Sequence, residues 1–549
     1  MCGIFTLLNA TQSTDQITEQ FYRGQARGPE ASNLSKPYPQ TTFGFHRLAI
    51  NGLNPESNQP LEVDNVVLVC NGEIYNYRKL YDHMDMIHGG NTQSDCEVIL
   101  HLYLRYGIEY TLQVLDGVFA FVLLDRRALE ARLFCARDPF GVRPLYWSAH
   151  GESWGLASEL KMLTGGGTGG CVAHFPPGSY AEWTYGAQAV SMWSIKTATP
   201  TRYHTLGFVT QGFQEVEWFE CLGDIYPEIR RRFRDAVYKR CCTTERPIAC
   251  LLSGGLDSSL VAAVVMEYHT ARGLPPVETY SIGMAGSTDL AFARQVAETL
   301  GTLHHEVVVT EQDFIDAVPH VIHAIESYDT TTVRASLGNW MIGKYIREHS
   351  EAKVIFNGDG SDELAGGYLY LGLAPDDLEF DRECRRLLQD IHAFDVLRSD
   401  KCISSHGLEP RTPFLDRGWV QYYLSLPPSV RFHGQGGMEK ELIRQAFTTE
   451  DLLPLEVIWR RKEAFSDGVT GTTRSLFQIL QDHAAALVPA TAAAAAAATS
   501  GGPQATTAEQ RWYRSVFDTF YPEAGNVVPY FWMPKYVLAT DASARTWSV

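Results

Sequence analysis

The sequence has no C-x-x-C pair, no excess of basic residues and no long apolar run, and each absence removes a class of function. Its 11 cysteines are odd in number and scattered through 549 residues. They read neither as a disulfide scaffold nor as a zinc site, which suits a reducing compartment. Lys and Arg total 46 against 64 Asp and Glu, a formal net charge of −18. That balance argues against nucleic acid or an anionic membrane as a general partner and leaves room for local phosphate pockets. No apolar stretch approaches the roughly 18 residues of a membrane-spanning helix. The opening residues MCGIFTLLNATQST lack a basic start and soon turn polar, so no secretory signal is expected. The expectation is a soluble cytoplasmic protein.

The length calls for two or more domains. The first ~200 residues carry short strand-like runs (TTFGFHRLAI, NVVLVCNGEIY, GVFAFVLLD, RLFCARD) and a helix, SDCEVILHLYLRYG, with a Ser/Asp start and a Gly stop. The pattern blurs around 205–223, which divides the chain into 2–205 and 220–549. Beyond it, strands alternate with helices: RPIACLLS, LVAAVVMEYHTARG, VETYSIGM, DLAFARQVAETLG, HHEVVVT, then IGKYIREHS into KVIFNG. That rhythm predicts a doubly wound parallel sheet, with ligands at the carboxyl ends of its strands. The alanine-rich stretch AAALVPATAAAAAAATSGGPQATTA reads as a low-complexity mobile surface insertion before a further helix, AEQRWYRSVFDTFYP.

Within LLSGGLDSSL a strand meets a helix. The turn Ser253-Gly254-Gly255 lets backbone N–H groups converge at a helix N-terminus, which makes an anion site. Asp257, Ser258 and Ser259 add a carboxylate and hydroxyls in the first turn. A plain Ser/Gly/Asp helix cap would use the same residues. The spacing is not that of the G-x-x-x-x-G-K-[ST] loop, so γ-phosphate transfer is not implied. His304-His305 are adjacent on a strand, face different ways and receive no role.

The heptapeptide SGGLDSS resembles the pyrophosphate loop of the N-type ATP pyrophosphatases, which cleave ATP to AMP and pyrophosphate. Upstream, MCGIF, HRLAI, CNGEIYN, TQSDCE and ARDPFGVRPLYW together resemble the class II glutamine amidotransferase domain, an αββα N-terminal-nucleophile hydrolase. Fused in this order, and with STDLAFARQVAETLGT, ESYDTTTVRAS, GDGSDELAGGY, LEPRTPFLD and WRRKEAFSDGV, the chain resembles the glutamine-hydrolysing asparagine synthetase family from residue 2 to about 470.

The resemblance implies the following roles. Cys2, exposed as the first residue by removal of Met1, attacks the glutamine amide with its own α-amine as base. Asn71 and the Gly72 N–H hold the oxyanion. Arg47 takes the glutamine carboxylate; Asp95, with Glu73 nearby, takes the ammonium. ATP lies along Leu252, Ser253, Gly254, Gly255, Asp257, Ser258 and Ser259, with Ser281, Gly358 and Asp359 beside it. Asp257 and Asp362 hold Mg²⁺. Lys462 stabilises the charge that develops as aspartate is adenylated. Asp289, Thr331, Thr332 and Arg334 contact aspartate. A homodimer is also implied.

Two stretches depart from the family pattern. The glycine-rich block, usually Ser-Gly-Glu-Gly-Ser-Asp-Glu, begins Asn357-Gly358-Asp359 here. Asp359 keeps the carboxylate that helps deliver ammonia, one methylene short, about 1.5 Å of reach. The usual His-Arg-Gly-Pro-Asp stretch, a loop that orders around glutamine, reads Ala26-Arg27-Gly28-Pro29-Glu30. Two other readings stand beside the first: a same-fold relative that adenylates and amidates or cyclises another carboxylate, and a catalytically quiet nucleotide-binding protein.

Overall fold

Alternation along two neighbouring strands, Val66–Ile74 and Gly117–Asp125, sets the architecture of the first half. Both are apolar on both faces. Val67, Val69, Val122 and Leu124 point one way, against Ile4, Leu8, Phe43 and Phe45 of a second sheet. Leu68, Cys70, Phe119 and Phe121 point the other way, against Ile99, Leu102 and Tyr103 of the helix Val98–Val114. A strand packed on both sides needs this composition, because its side chains alternate between faces. The second sheet carries Phe5 and Leu7 on its far side, against Ile17 and Phe21 of the helix Thr14–Tyr22. The layers are therefore helix, six-stranded sheet, seven-stranded sheet, helix, the expected αββα sandwich.

This is a computed structural model; it describes residues 2–86, 89–165, 171–186, 191–206, 225–464, 468–470, 474–487 and 501–542. Most of the expected boundary at 205–223 and of the alanine-rich stretch lies outside the described residues. Gly107, the expected helix stop, has φ 77° and ψ 176° and breaks the helix, which resumes to Val114.

The second half is built on a five-stranded parallel sheet. In spatial order its strands are Leu303–Val309, Glu278–Met284, Ile248–Leu251, Val354–Phe356 and Glu409–Arg411. Numbered along the chain, that order is 3-2-1-4-5. Cys250 and Phe356 face the helices Leu256–Ala271 and Thr288–Leu300; Ala249 and Ile355 face the helices Glu311–Ile325 and Thr330–His349. Both faces are covered, as a parallel sheet requires. The connections reverse between the first and fourth strands, so the loops after them diverge and leave a crevice. The fifth strand escaped the sequence reading: it has three residues, one of them Pro410.

The halves share core. One apolar cluster joins Phe5 and Leu7 to Val318 and Leu337; another joins Ile50 and Val118 to Val261 and Phe414.

Candidate active sites

The first site gathers at one end of the sandwich. Gly3 pairs with His46 across the antiparallel strands Gly3–Leu8 and Thr41–Arg47, so one further residue sets Cys2 opposite Arg47. The Cys2 thiol donates to the Leu48 carbonyl oxygen at 3.6 Å, and burial raises its pKa. Asn71, Gly72 and Glu73 occupy the last turn of the pleat in Val66–Ile74. Gly72 is required there: a Cβ would stand 2.6 Å from the Val118 carbonyl oxygen. The Asn71 side chain is fully buried, and neither its Nδ2 nor its Oδ1 has a partner. Buried amides are almost always satisfied, so this one is poised for something absent.

Arg47 is buried, and its guanidinium donates to the Asn54 carbonyl at 3.0 Å, to Asn58 Oδ1 at 2.6 Å and to the Gly52 carbonyl. Among the described residues it forms no ion pair. The 52–58 loop orients it without neutralising it. Asp95 accepts from the Ile74 N–H at 2.6 Å; burial is the main cause that pushes its pKa up to about 6. Burial, then Asp95 and Glu409, raise Glu73 as well, against the opposing charge of Arg411 at 3.3 Å.

The departing loop does something the sequence did not suggest. Arg27 is buried; its Nε donates to the Cys2 carbonyl at 2.9 Å, and its other nitrogens pair with Glu159 at 2.6 Å and Asp400 at 2.8 Å. Glu30 accepts from the Ala49 N–H at 2.7 Å and pairs with Arg246 at 2.8 Å. The stretch is fixed between the halves by these contacts.

The second site is a cavity of about 290 Å³ at the switch point. Ser253, Gly255, Asp257, Ser258, Asp289, Thr331, Arg334, Gly358, Asp359, Asp362 and Lys462 line it, all named from sequence. Gly358 cannot be larger, since a Cβ would meet Asp257 Cβ and the Ser258 nitrogen at 2.8 Å. Charges alternate on its floor. Lys440 Nζ lies 2.5 Å from both Asp257 Oδ2 and Asp362 Oδ1, and Lys462 Nζ lies 2.7 Å from Asp362 Oδ2. Burial opposes charge on Asp362, but Lys440 and Lys462 outweigh it and hold its pKa far down. Burial likewise opposes charge on Lys462, and Asp362 and Asp257 keep it protonated. Lys440 shows that a cation fits between Asp257 and Asp362. Mg²⁺ is commonly held by one or two carboxylates with substrate phosphates, and this donor pair suits it. Among the described residues no group of three or more potential metal-ligating side chains exists.

Other expected contacts lie off the cavity. Ser281 is turned to His304 Nε2 at 3.0 Å. Thr332 is spent on capping its own helix, with its N–H and hydroxyl on Asp329 Oδ2 at 2.9 and 2.7 Å. Leu252 is buried under the loop; Gly254 (φ 70°) supplies the turn, and a Cβ there would strike the Ala293 nitrogen at 2.5 Å. Ser259 is buried with its hydroxyl unpartnered. Arg334 reaches the cavity but already carries two carboxylates, Glu509 and Asp541.

Sequence reasoning missed Lys440, Arg398, Asp395 and Trp532, all of which line the cavity. No short motif marks them. They arrive from helices and loops remote in sequence.

The asparagine synthase family model matches residues 228–379 and 370–548, and the glutamine amidotransferase domain model matches residues 1–170. Curated relatives match end to end. Asparagine synthetase [glutamine-hydrolyzing] of Gallus gallus is 40% identical over 565 residues, 100% of this chain and 98% of its own; that of Homo sapiens is 40% identical over 578 residues with the same coverage. A solved glutamine phosphoribosylpyrophosphate amidotransferase from B. subtilis overlaps 51% of this chain and 66% of its own, at 19% identity and a TM-score of 0.30. With full-length relatives at this identity, the chain belongs to the glutamine-hydrolysing asparagine synthetase family.

Proposed function

We propose that the protein is a glutamine-dependent asparagine synthetase. It hydrolyses glutamine to glutamate and ammonia in residues 2–205, and in residues 220–549 uses ATP to convert aspartate into asparagine with release of AMP and pyrophosphate. The observation that carries the reading is Asn71. A buried carboxamide with both polar atoms orphaned is costly unless a ligand completes it. An oxyanion beside the Cys2 sulfur would accept from its Nδ2, with the Gly72 N–H as second donor.

Removal of Met1 gives Cys2 an α-amine of ordinary pKa near 7.7–8.0. That amine accepts the thiol proton as sulfur attacks, which suits a thiol whose burial keeps it protonated. Arg47 holds the glutamine carboxylate and Asp95 its ammonium. At the second site the Ser253–Ser259 turn cradles pyrophosphate oxygens at the start of the helix Leu256–Ala271. Asp257 and Asp362 would hold Mg²⁺, which supplies charge neutralisation on the phosphates. Lys462 screens the aspartate carboxylate as it approaches the α-phosphorus. Asp289, Thr331 and Arg334 line the aspartate end. Asp359 receives a proton as ammonia displaces AMP.

In the family the protein is homodimeric, and we extend that to this chain, with a cytoplasmic location; among the described residues no helix is long and apolar enough to cross a membrane. The deciding experiment supplies amide-¹⁵N-glutamine, aspartate and ATP–Mg²⁺. Labelled asparagine with AMP is expected. Glutamate without asparagine would reject aspartate as the acceptor and favour the related carboxylate-activating reading.

A further inference from the structure

Asp359 must do its work with a carboxylate one methylene shorter than the family's glutamate, and its loop cannot advance to compensate. Gly358 lies so near Asp257 and Ser258 that even a Cβ would stand 2.8 Å from them. The loop is held instead from behind, by one helix, Asp395–Ser404. Asp395 Oδ2 accepts from the Gly360 N–H at 3.0 Å. Ser399 Oγ accepts from Asn357 Nδ2 at 2.7 Å, and Asn357 Oδ1 in turn accepts from the Asp359 N–H at 3.3 Å. Asn357 thus links the Ser399 hydroxyl to the Asp359 backbone. Ser399 and Asn357 are both buried. One carboxylate oxygen, Asp359 Oδ2, is buried without a partner in a residue that lines the cavity.

Asn357 is itself the residue that departs from the family serine. The two departures are thus physically joined. The longer amide side chain reaches Ser399 with its nitrogen and holds the backbone of the shorter acid with its oxygen.

We propose that Ser399, acting with Asn357, is a positioning residue that fixes the Asp359 carboxylate for the amide-forming step. The proposal rests on the asparagine synthetase reading. In that step the ammonia nitrogen forms a bond to the β-carbonyl carbon of the aspartyl adenylate. The bond from that carbon to the phosphate oxygen breaks, and AMP leaves with the electron pair. One nitrogen proton passes to Asp359 Oδ2. A carboxylate free to swing would receive it poorly, because misplacement by about 1 Å can cost roughly 100-fold in rate.

The test uses the full-length protein with labelled glutamine, aspartate and ATP–Mg²⁺, reading labelled asparagine formed per glutamate released. Ser399→Ala is expected to lower that ratio at least about tenfold, and Ser399→Thr, which keeps the hydroxyl, to stay within about twofold of wild type. In an Asp359→Glu background, where the longer acid no longer needs the support, Ser399→Ala is expected to cost less than about twofold, a coupling that a purely structural role would not produce. Asn357→Ala should repeat the Ser399→Ala result should that variant not fold. An unchanged ratio in Ser399→Ala, or the same loss in both backgrounds, overturns the proposal. Wild-type protein that releases glutamate and yields no labelled asparagine overturns the functional reading, and the proposal with it.

Discussion

Asp95 shows what burial does to a carboxylate. Its pKa, pushed up to about 6 chiefly by desolvation, means that the free protein carries a neutral acid below that pH. In the role proposed for it, only the ionised form can hold the glutamine ammonium. Glutaminase kcat/KM, which reports the free enzyme and already falls as the α-amine base protonates near 7.7–8.0, should therefore fall more steeply below about 6, and Asp95→Asn should remove that added steepness while lowering kcat/KM at pH 8 by at least about 30-fold, in line with the ~2 kcal/mol or more lost when a buried charge pair loses a partner. A steady-state pH profile checks both. Cys2→Ala is expected to abolish glutamine-dependent synthesis and to leave synthesis from ammonium chloride, measured as AMP release. At this scale the sequence was legible where function imposes residues at short spacing. Cys2, the Asn71–Gly72 pair and Asp257 sit in motifs because backbone turns must present them. Lys440 was not legible, because its significance lies in two aspartates from other elements. Thr332 sits in a legible motif, but its hydroxyl donates to Asp329, the cap of its own helix.

Among the elements, the helix Asp395–Ser404 joins the two chemistries. Its first turns hold the Asn357–Gly360 loop; its last turns present Asp400 and Ser404 to Arg27, whose Nε holds the Cys2 carbonyl. Asp400 also lies 3.5 Å from Arg143. Asp400→Ala would leave two buried arginines short of countercharge, a loss of about 3–5 kcal/mol by the usual cost of breaking a buried pair. It should also loosen Arg27 and so Cys2. Glutamine-dependent synthesis is expected to fall several-fold more than ammonia-dependent synthesis, with a lowered denaturation midpoint. Equal loss from both nitrogen sources would show that the helix acts only on stability. Nothing in the periodicity of DVLRSDKCIS announced this, since a helix buried all round has no distinguishing face. The long strands were legible from alternation or continuous apolar character; the strand Glu409–Arg411 was too short to show either.

That fifth strand is where the halves of the molecule meet electrostatically. Arg411, buried in the second half, pairs with Glu409 on its own strand at 2.9 Å and with Glu73 beside Asp95 in the first half at 3.3 Å, and donates to the Thr243 carbonyl at 2.9 Å. Burial opposes its charge, and Glu409 and Glu73 more than restore it. Lys239 with Asp116 and Arg246 with Glu30 add further pairs between the halves, over the shared apolar clusters. The sequence divided the chain into two parts, yet composition cannot show that the two parts share core and countercharge. Arg411→Met tests how far the sharing goes. It leaves Glu73 and Glu409 facing each other without the cation between them, so Glu73, already raised by burial and by Asp95, should take up a proton more readily. The variant is expected to raise the KM for glutamine severalfold although the substitution lies in the other half. Its cost to stability should reach about 3 kcal/mol, the scale of an uncompensated buried charge. Denaturation followed by glutaminase activity and by ATP–pyrophosphate exchange should show both losses at one lowered midpoint. Two separated midpoints would mean that the halves fold independently and that the ion pairs between them are dispensable.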